Sequence, residues 1–160
     1  MHVRAGVQQP FGELRIACEL NCKKRCGRFA TQPVPDAAKG PTLEPVKGAL
    51  QVGDELVVRI ELRVDREMEY VHLKDQRGSG TEPVNVLSGY KYQDGLAYYE
   101  STRDTASHFF IDYLPKGTYV FEHSTRIQLR GEYQTGLAEI QCMYAPEFNS
   151  HSESLQLRVN

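Results

Sequence analysis

Between residues 55 and 64 the apolar side chains fall on every second position, and this period of two constrains the chain more than any other feature. Leu56, Val58, Ile60, Leu62 and Val64 alternate with Glu55, Arg59, Glu61 and Arg63, and only Val57 breaks the pattern. Successive strand residues point to opposite faces, so the stretch reads as an antiparallel strand with one wet face. Burying its five apolar side chains is worth roughly 1.5–3 kcal/mol each before entropy is charged. Such a strand belongs at the centre of a sheet.

The same period recurs down the chain. Val71 and Leu73 oppose Tyr70, His72 and Lys74; Phe109, Ile111 and Tyr113 share a face within His108–Leu114; Ala138, Ile140 and Cys142 alternate with Glu139 and Gln141; Leu155, Leu157 and Val159 alternate with Gln156 and Arg158. Tyr119 and Phe121 are in phase with Ile127 and Leu129, but His123 and Thr125 occupy the inward positions between them. That strand either bends or runs over a thinner core. Turn signals separate the runs: Arg77-Gly78-Ser79-Gly80, the six residues from Gly131 to Gly136, and Gln93-Asp94-Gly95-Leu96, whose Asp-Gly favours a tight hairpin. With no amphipathic helix and no internal repeat, the pattern argues an all-β, antiparallel Greek-key β-sandwich of immunoglobulin or fibronectin III-like architecture. Pro115 and Gly117 ahead of Tyr119 resemble a tyrosine corner, in which a hydroxyl bonds the backbone and locks a crossover.

Residues 1–48 are less legible. Glu13–Cys18 reads as a strand, Asn21–Gly27 as a turn, and Gln32–Pro41, with Pro33, Pro35, Gly40 and Pro41, as a loop. At 160 residues the chain suits a single domain with its own core. Nineteen Lys and Arg against 21 Asp and Glu give a net charge of −2, which offers no electrostatic reason for a nucleic acid or anionic membrane partner. Lys23-Lys24-Arg25 with Arg28 reads as a solvated face. No apolar run approaches the length of a membrane span, and no charged n-region with an apolar h-region follows Met1.

Cys18, Cys22 and Cys26 crowd together while Cys142 lies on a late core strand, and this spacing leaves the disulfide pairing open. A zinc site usually takes four ligands in closely spaced pairs, so buried or partly paired cysteines are the plainer reading and no metal or other cofactor is expected. Tyr90, Tyr92, Tyr98 and Tyr99 flank the Asp-Gly turn; cross-strand packing is their simplest use, and a platform for sugar or protein is the functional alternative.

The stretch Gly136–Glu153 ends its alternation at Met143-Tyr144-Ala145-Pro146-Glu147. Proline cannot donate to a ladder, so two large side chains, Met143 and Tyr144, are carried to a pinned tip. The tip is either a contact surface or, through Tyr144, the closure of the core.

Four strings, Glu61–Asp75, Glu82–Asp104, Phe109–Glu122 and Gly136–Glu153, together resemble the C-terminal macroglobulin-like domain of bacterial alpha-2-macroglobulins of the long Bacteroidetes type. The resemblance runs over residues 49–160, with 1–48 poorly matched, and implies a piece of a much larger protein. It further implies a non-catalytic domain of a protease-trapping protein in the periplasm or at the cell surface, carried there by an upstream signal. Its partners would be other domains of the parent, the thioester domain above all, and target proteases through the parent. Residues Met143, Tyr144, Pro146 and Glu147 would then form the contact, with Tyr144 shielding the thioester from water. The competing expectation is a carbohydrate- or protein-binding adhesion module using Tyr90, Tyr92, Tyr98 and Tyr99.

The family's thioester joins a cysteine to a glutamine three residues on. Here Asn21, Arg25, Phe29 and Ala145 stand three residues after the four cysteines, so no thioester forms within this chain by that motif. Ser107-His108 with Asp112, and Ser150-His151-Ser152-Glu153, supply hydrolase residue types. They lack a G-x-S-x-G elbow, and no enzyme is expected.

Overall fold

The computed structural model describes residues 15–23, 44–45, 50–93 and 95–160. The loop expected over Gln32–Pro41, together with Cys26 and Asp94, lies outside them. All regular structure among the described residues is strand: β1 Arg15–Lys23, β2 Glu44–Pro45, β3 Glu55–Val64, β4 Met68–Gln76, β5 Thr81–Pro83, β6 Gly89–Gln93, β7 Leu96–Thr102, β8 Ala106–Leu114, β9 Gly117–Ile127, β10 Gly131–Gln134, β11 Ala138–Cys142, β12 Asn149–His151 and β13 Gln156–Val159.

One sheet runs β2-β1-β3-β9-β5, a second runs β12-β11-β4-β8-β7-β6, and β10 pairs with β13 in a separate ribbon. Every ladder between these strands is antiparallel. The alternating strand β3 sits between β1 and β9, and its five in-phase apolar residues are buried with Val57. The inward face of Val58, Ile60, Leu62 and Val64 meets Val71, Leu73, Phe109, Ile111, Tyr98 and Ile140 of the second sheet in one continuous core, so the molecule is a sandwich. A smaller cluster of Leu50, Leu56, Ile127, Leu157 and Val159 joins the β10–β13 ribbon to the end of the first sheet.

Several local expectations change. Asn21 and its neighbours up to Lys23 continue β1 rather than turn, and Gly131–Gln134 forms a strand where a turn alone was expected. Strand β9 does not bend at His123 and Thr125: its register with β3 is unbroken from Gly117↔Val64 to Arg126↔Glu55. The core thins instead. The His123 side chain is buried against buried Asp75, Nε2 to Oδ2 3.1 Å, and this polar pair lies between the two apolar clusters.

Phase is lost in two neighbouring strands at one level. Tyr113, expected inward beside Phe109 and Ile111, is exposed, and its hydroxyl donates to Glu67 at 2.8 Å. Its partner across the ladder is Glu69, and both Glu69 and Tyr70 are exposed between buried Met68 and buried Val71. The shift is absorbed at Tyr70, whose φ of +52° lies in the left-handed region that a bulky residue rarely enters.

The β8–β9 crossover passes from the second sheet to the first through Pro115 and Gly117. There the Tyr119 hydroxyl donates to the Pro115 carbonyl at 2.9 Å. The β6–β7 hairpin turns at Gly95, with φ +78°.

Candidate contact surface

The loop joining β11 to β12 is closed by its own backbone. Cys142 N–H donates to Phe148 O at 3.0 Å, and Phe148 N–H donates to Ala145 O at 2.9 Å around a turn with Pro146 at its second position, where proline's fixed φ fits. Asn149 Nδ2 donates to Pro146 O at 2.7 Å and ties the turn down from outside. Phe148 packs against the core from this loop, with the Arg66 guanidinium 5.4 Å from its ring centroid. Phe148, not Tyr144, therefore closes this end of the sandwich.

Tyr144 is left 80% exposed, beside exposed Met143, Pro146 and Glu147. Its ring meets Tyr70 edge-on at 5.0 Å and 89°, a favoured aromatic geometry. Met143 N–H donates to Tyr70 O at 2.9 Å, and the Cys142 thiol donates to Glu69 O at 3.2 Å. Thus the tip is fastened to β4 at the residue where β4 is strained. Cys142 is a free buried thiol; the pairing of Cys18 and Cys22 is not described, although both lie on β1, in register with Ile60 and Leu56 of β3. Alternation placed Tyr70 on the wet face of its strand but not beside Tyr144; Arg66 and Phe148 carry no alternation signal of their own, and only the proline turn hinted that an anchor would follow it.

The hairpin tyrosines divide. Tyr98 is only 6% exposed and packs on Phe109 and Phe121 inside the sandwich, so it does not belong to an exposed platform; its register places it on the inner face of β7. Burial raises the pKa of its phenol, with nearby Glu100 adding to the effect. Tyr90 and Tyr92 are 83% and 79% exposed, and Tyr90 packs edge-on to Tyr99 at 5.0 Å. Cross-strand pairing then links Tyr90, Tyr99, Phe110, His72 and Gln141 in one row over the outer face of the second sheet. In that row the His72 ring stacks on Phe110 at 4.7 Å, and His72 Nε2 lies 3.0 Å from His108 Nδ1. Burial lowers both histidine pKa values; His108 and Lys74 push His72 further down against a weaker opposing pull from Glu139, and Lys74 and Arg103 do the same to His108. The two tyrosine groups read separately from the sequence thus share one face, at opposite edges.

The hydrolase residue types are not assembled. Ser107 faces inward, and its hydroxyl accepts from Arg77 Nη2 at 3.2 Å, whereas His108 faces outward toward His72. Ser152 is buried, accepting from Ala138 N–H at 3.0 Å and donating to Glu153 O at 3.1 Å. Among the described residues no three of His, Cys, Asp and Glu are grouped to hold a metal ion.

The family model described as bacterial alpha-2-macroglobulin MG10 domain matches residues 31–147, from before the first sheet's central strand through the Tyr144 tip. The chain belongs to the MG10 domain family. Its fold is shared with bacterial alpha-2-macroglobulin structures. The crystal structure of Salmonella alpha-2-macroglobulin reacted with methylamine aligns with a TM-score of 0.69 at 16% identity, over 99% of this chain and 10% of that one. Escherichia coli alpha-2-macroglobulin activated by porcine elastase aligns with a TM-score of 0.67 at 15% identity, over 96% of this chain and 13% of that one. Circularly permutated Ras protein 2 of Dictyostelium discoideum is 22% identical over 111 residues, which is 69% of this chain and 3% of that protein. This chain thus spans only a small fraction, 3–13%, of each protein named here.

Proposed function

We propose that this MG10 domain is a non-catalytic docking module of an alpha-2-macroglobulin-like protease-trapping protein, placed in the periplasm or at the cell surface. Its Met143–Glu147 tip packs on the neighbouring thioester domain, and Tyr144 covers the thioester. The observation that carries this reading is the ring of Tyr144: it is almost wholly exposed, yet it is held from behind by Tyr70 and by a proline turn anchored through Phe148. A thioester survives only where water is excluded, and a stiff aromatic ring on a fastened loop is suited to exclude it. The resemblance to alpha-2-macroglobulin structures that were reacted with methylamine or activated by elastase supports the same role.

The test is methylamine incorporation by the parent protein in the absence of protease. Replacing Tyr144 by Ala removes the ring without touching the core, and incorporation is expected to rise well above that of the unsubstituted protein. Unchanged incorporation overturns the covering role.

A second reading rests on the exposure of Tyr90 and Tyr92, which suits the outer face to bind carbohydrate or protein. Glycan-array binding lost on replacing both tyrosines by Ala would support the carbohydrate form of it.

A further inference from the structure

Among the described residues, each edge of the two large sheets ends in a row of unpaired backbone donors and acceptors, and proteins blunt such edges with short strands, proline, outward charge or bulges. In the first sheet, edge strand β2 is two residues ending in Pro45, and edge strand β5 is three residues ending in Pro83. In the second sheet, edge strand β12 has three residues. The remaining edge, β6, is different. It has five residues without proline, and its pairing with β7 runs unbroken from Gly89↔Glu100 to Gln93↔Leu96, so no bulge turns it away.

Nor does β6 carry an outward charge. Lys91, its one ionic residue, turns inward, with Nζ 2.6 Å from buried Glu100. What β6 presents instead is Tyr90 and Tyr92, preceded by Val86 and Leu87, both exposed in the segment that leads into it. That segment is held in place: Leu87 N–H donates to Asn85 Oδ1 at 3.2 Å, and Thr102 N–H donates to Ser88 Oγ at 3.3 Å. An ordered strand that shows two tyrosines on its outer face, has its one charge paired, and has no ladder partner on its far side among the described residues is a template for another strand.

We propose that β6 is a strand-addition site, covered by an extended apolar segment of the parent polypeptide outside this domain. An extended polypeptide is the occupant that can complete a ladder of alternating N–H and C=O groups along the strand. The apolar side chains at residues 86, 87, 90 and 92 call for neutral, apolar neighbours on it. The parent supplies the source, because the matching span in the Salmonella structure is only 10% of the chain. The inference rests on the reading that this is one domain of a longer protein. It is independent of the thioester, because the tip lies at the opposite edge of the sheet.

Amide hydrogen exchange at residues 89–93 tests it, comparing the parent protein with the 160-residue chain at the same concentration. Alternate amides of an antiparallel edge strand point to the neighbour or away from it. Strand addition is therefore expected to slow only the outward set, by roughly tenfold or more, while β8 amides keep their rates. Tyr92→Lys in the parent, which places a charge on the edge, is expected to restore fast exchange of that set. Equal exchange of residues 89–93 in both proteins overturns the proposal, as does slowing without the two-residue period. Protection in the 160-residue chain that grows with its own concentration also overturns it, since the occupant would then be a second copy. Loss of the Tyr144→Ala effect on methylamine, with the exchange pattern intact, would remove the thioester role and leave this site standing.

Discussion

Tyr70 holds a backbone conformation that costs a bulky L-residue of order 1–3 kcal/mol, and it does so where its ring backs Tyr144. Glycine accepts φ +52° without a Cβ penalty, whereas a β-branched residue meets it in full. Tyr70→Gly should accordingly stay within about 1 kcal/mol of the parent stability, the lost ring contact offsetting the relieved strain. By contrast Tyr70→Val should lie roughly 2 kcal/mol below Tyr70→Gly in chemical denaturation. The reverse order would show that the strain is not seated at this residue. Titration offers a second check at this scale. His72 and His108 have folded pKa values below the usual 6.5, so the unfolded chain binds protons there more readily. Stability is then full above about pH 6.5 and falls as pH drops toward the lower folded values. Thermal melts between pH 7 and pH 5 should show a falling midpoint, and the slope should flatten in the His72→Gln, His108→Gln double variant.

At the scale of elements, the contact surface depends on how closely β11 approaches β4. Gly136 enters β11 against the end of β4, where a Cβ would lie 2.0 Å from Gln76 Cβ and 2.9 Å from the Gln76 backbone. The Gln76 backbone N–H donates to Leu137 O at 3.0 Å, so neither strand can withdraw without breaking the ladder. Gly136→Ala is expected to cost about 2 kcal/mol or more, as overpacking does. Its urea midpoint should fall while Gly53→Ala, where a Cβ meets no atom within 4 Å, suffers only its positive φ. Equal midpoints would mean that β11 shifts freely and that the tip is not fixed by its strand. The tip's closure follows the same logic. Pro146 was readable as the stop of a strand, but that Phe148 would fold under it and leave Tyr144 outside depended on where the second sheet ends.

Across the whole molecule, the two apolar clusters are separated by a buried polar pair, Asp75 and His123, and by buried Thr125 and Ser107. Removing one partner of such a pair leaves the other buried and unsatisfied, whereas removing both can be nearly neutral. Asp75→Leu or His123→Leu alone should each cost roughly 2–4 kcal/mol, and the double substitution should cost clearly less than their sum. Additive losses in a double-mutant cycle would mean that the pair does not act as a unit.

Alternation determined most of this architecture by itself, because a strand with one buried face must place its apolar residues two apart: β3, β4, β8, β11 and β13 could all be read that way, as could the hairpin at Gly95 and the sandwich that buries them. The order of long strings carried the family, since a linear match needs no coordinates. Tertiary structure alone decided what alternation cannot encode. Tyr98 and Tyr99 are neighbours with opposite fates because facing depends on which side the other sheet lies. Tyr113 left its phase because it and the facing Glu69 shift together at one level, where the Tyr70 backbone takes up the strain. The pairing of Tyr70 with Tyr144, and the edge position of β6 among the described strands, depend on which strands distant in sequence became neighbours, which is a property of the packed sheet and not of any stretch of chain.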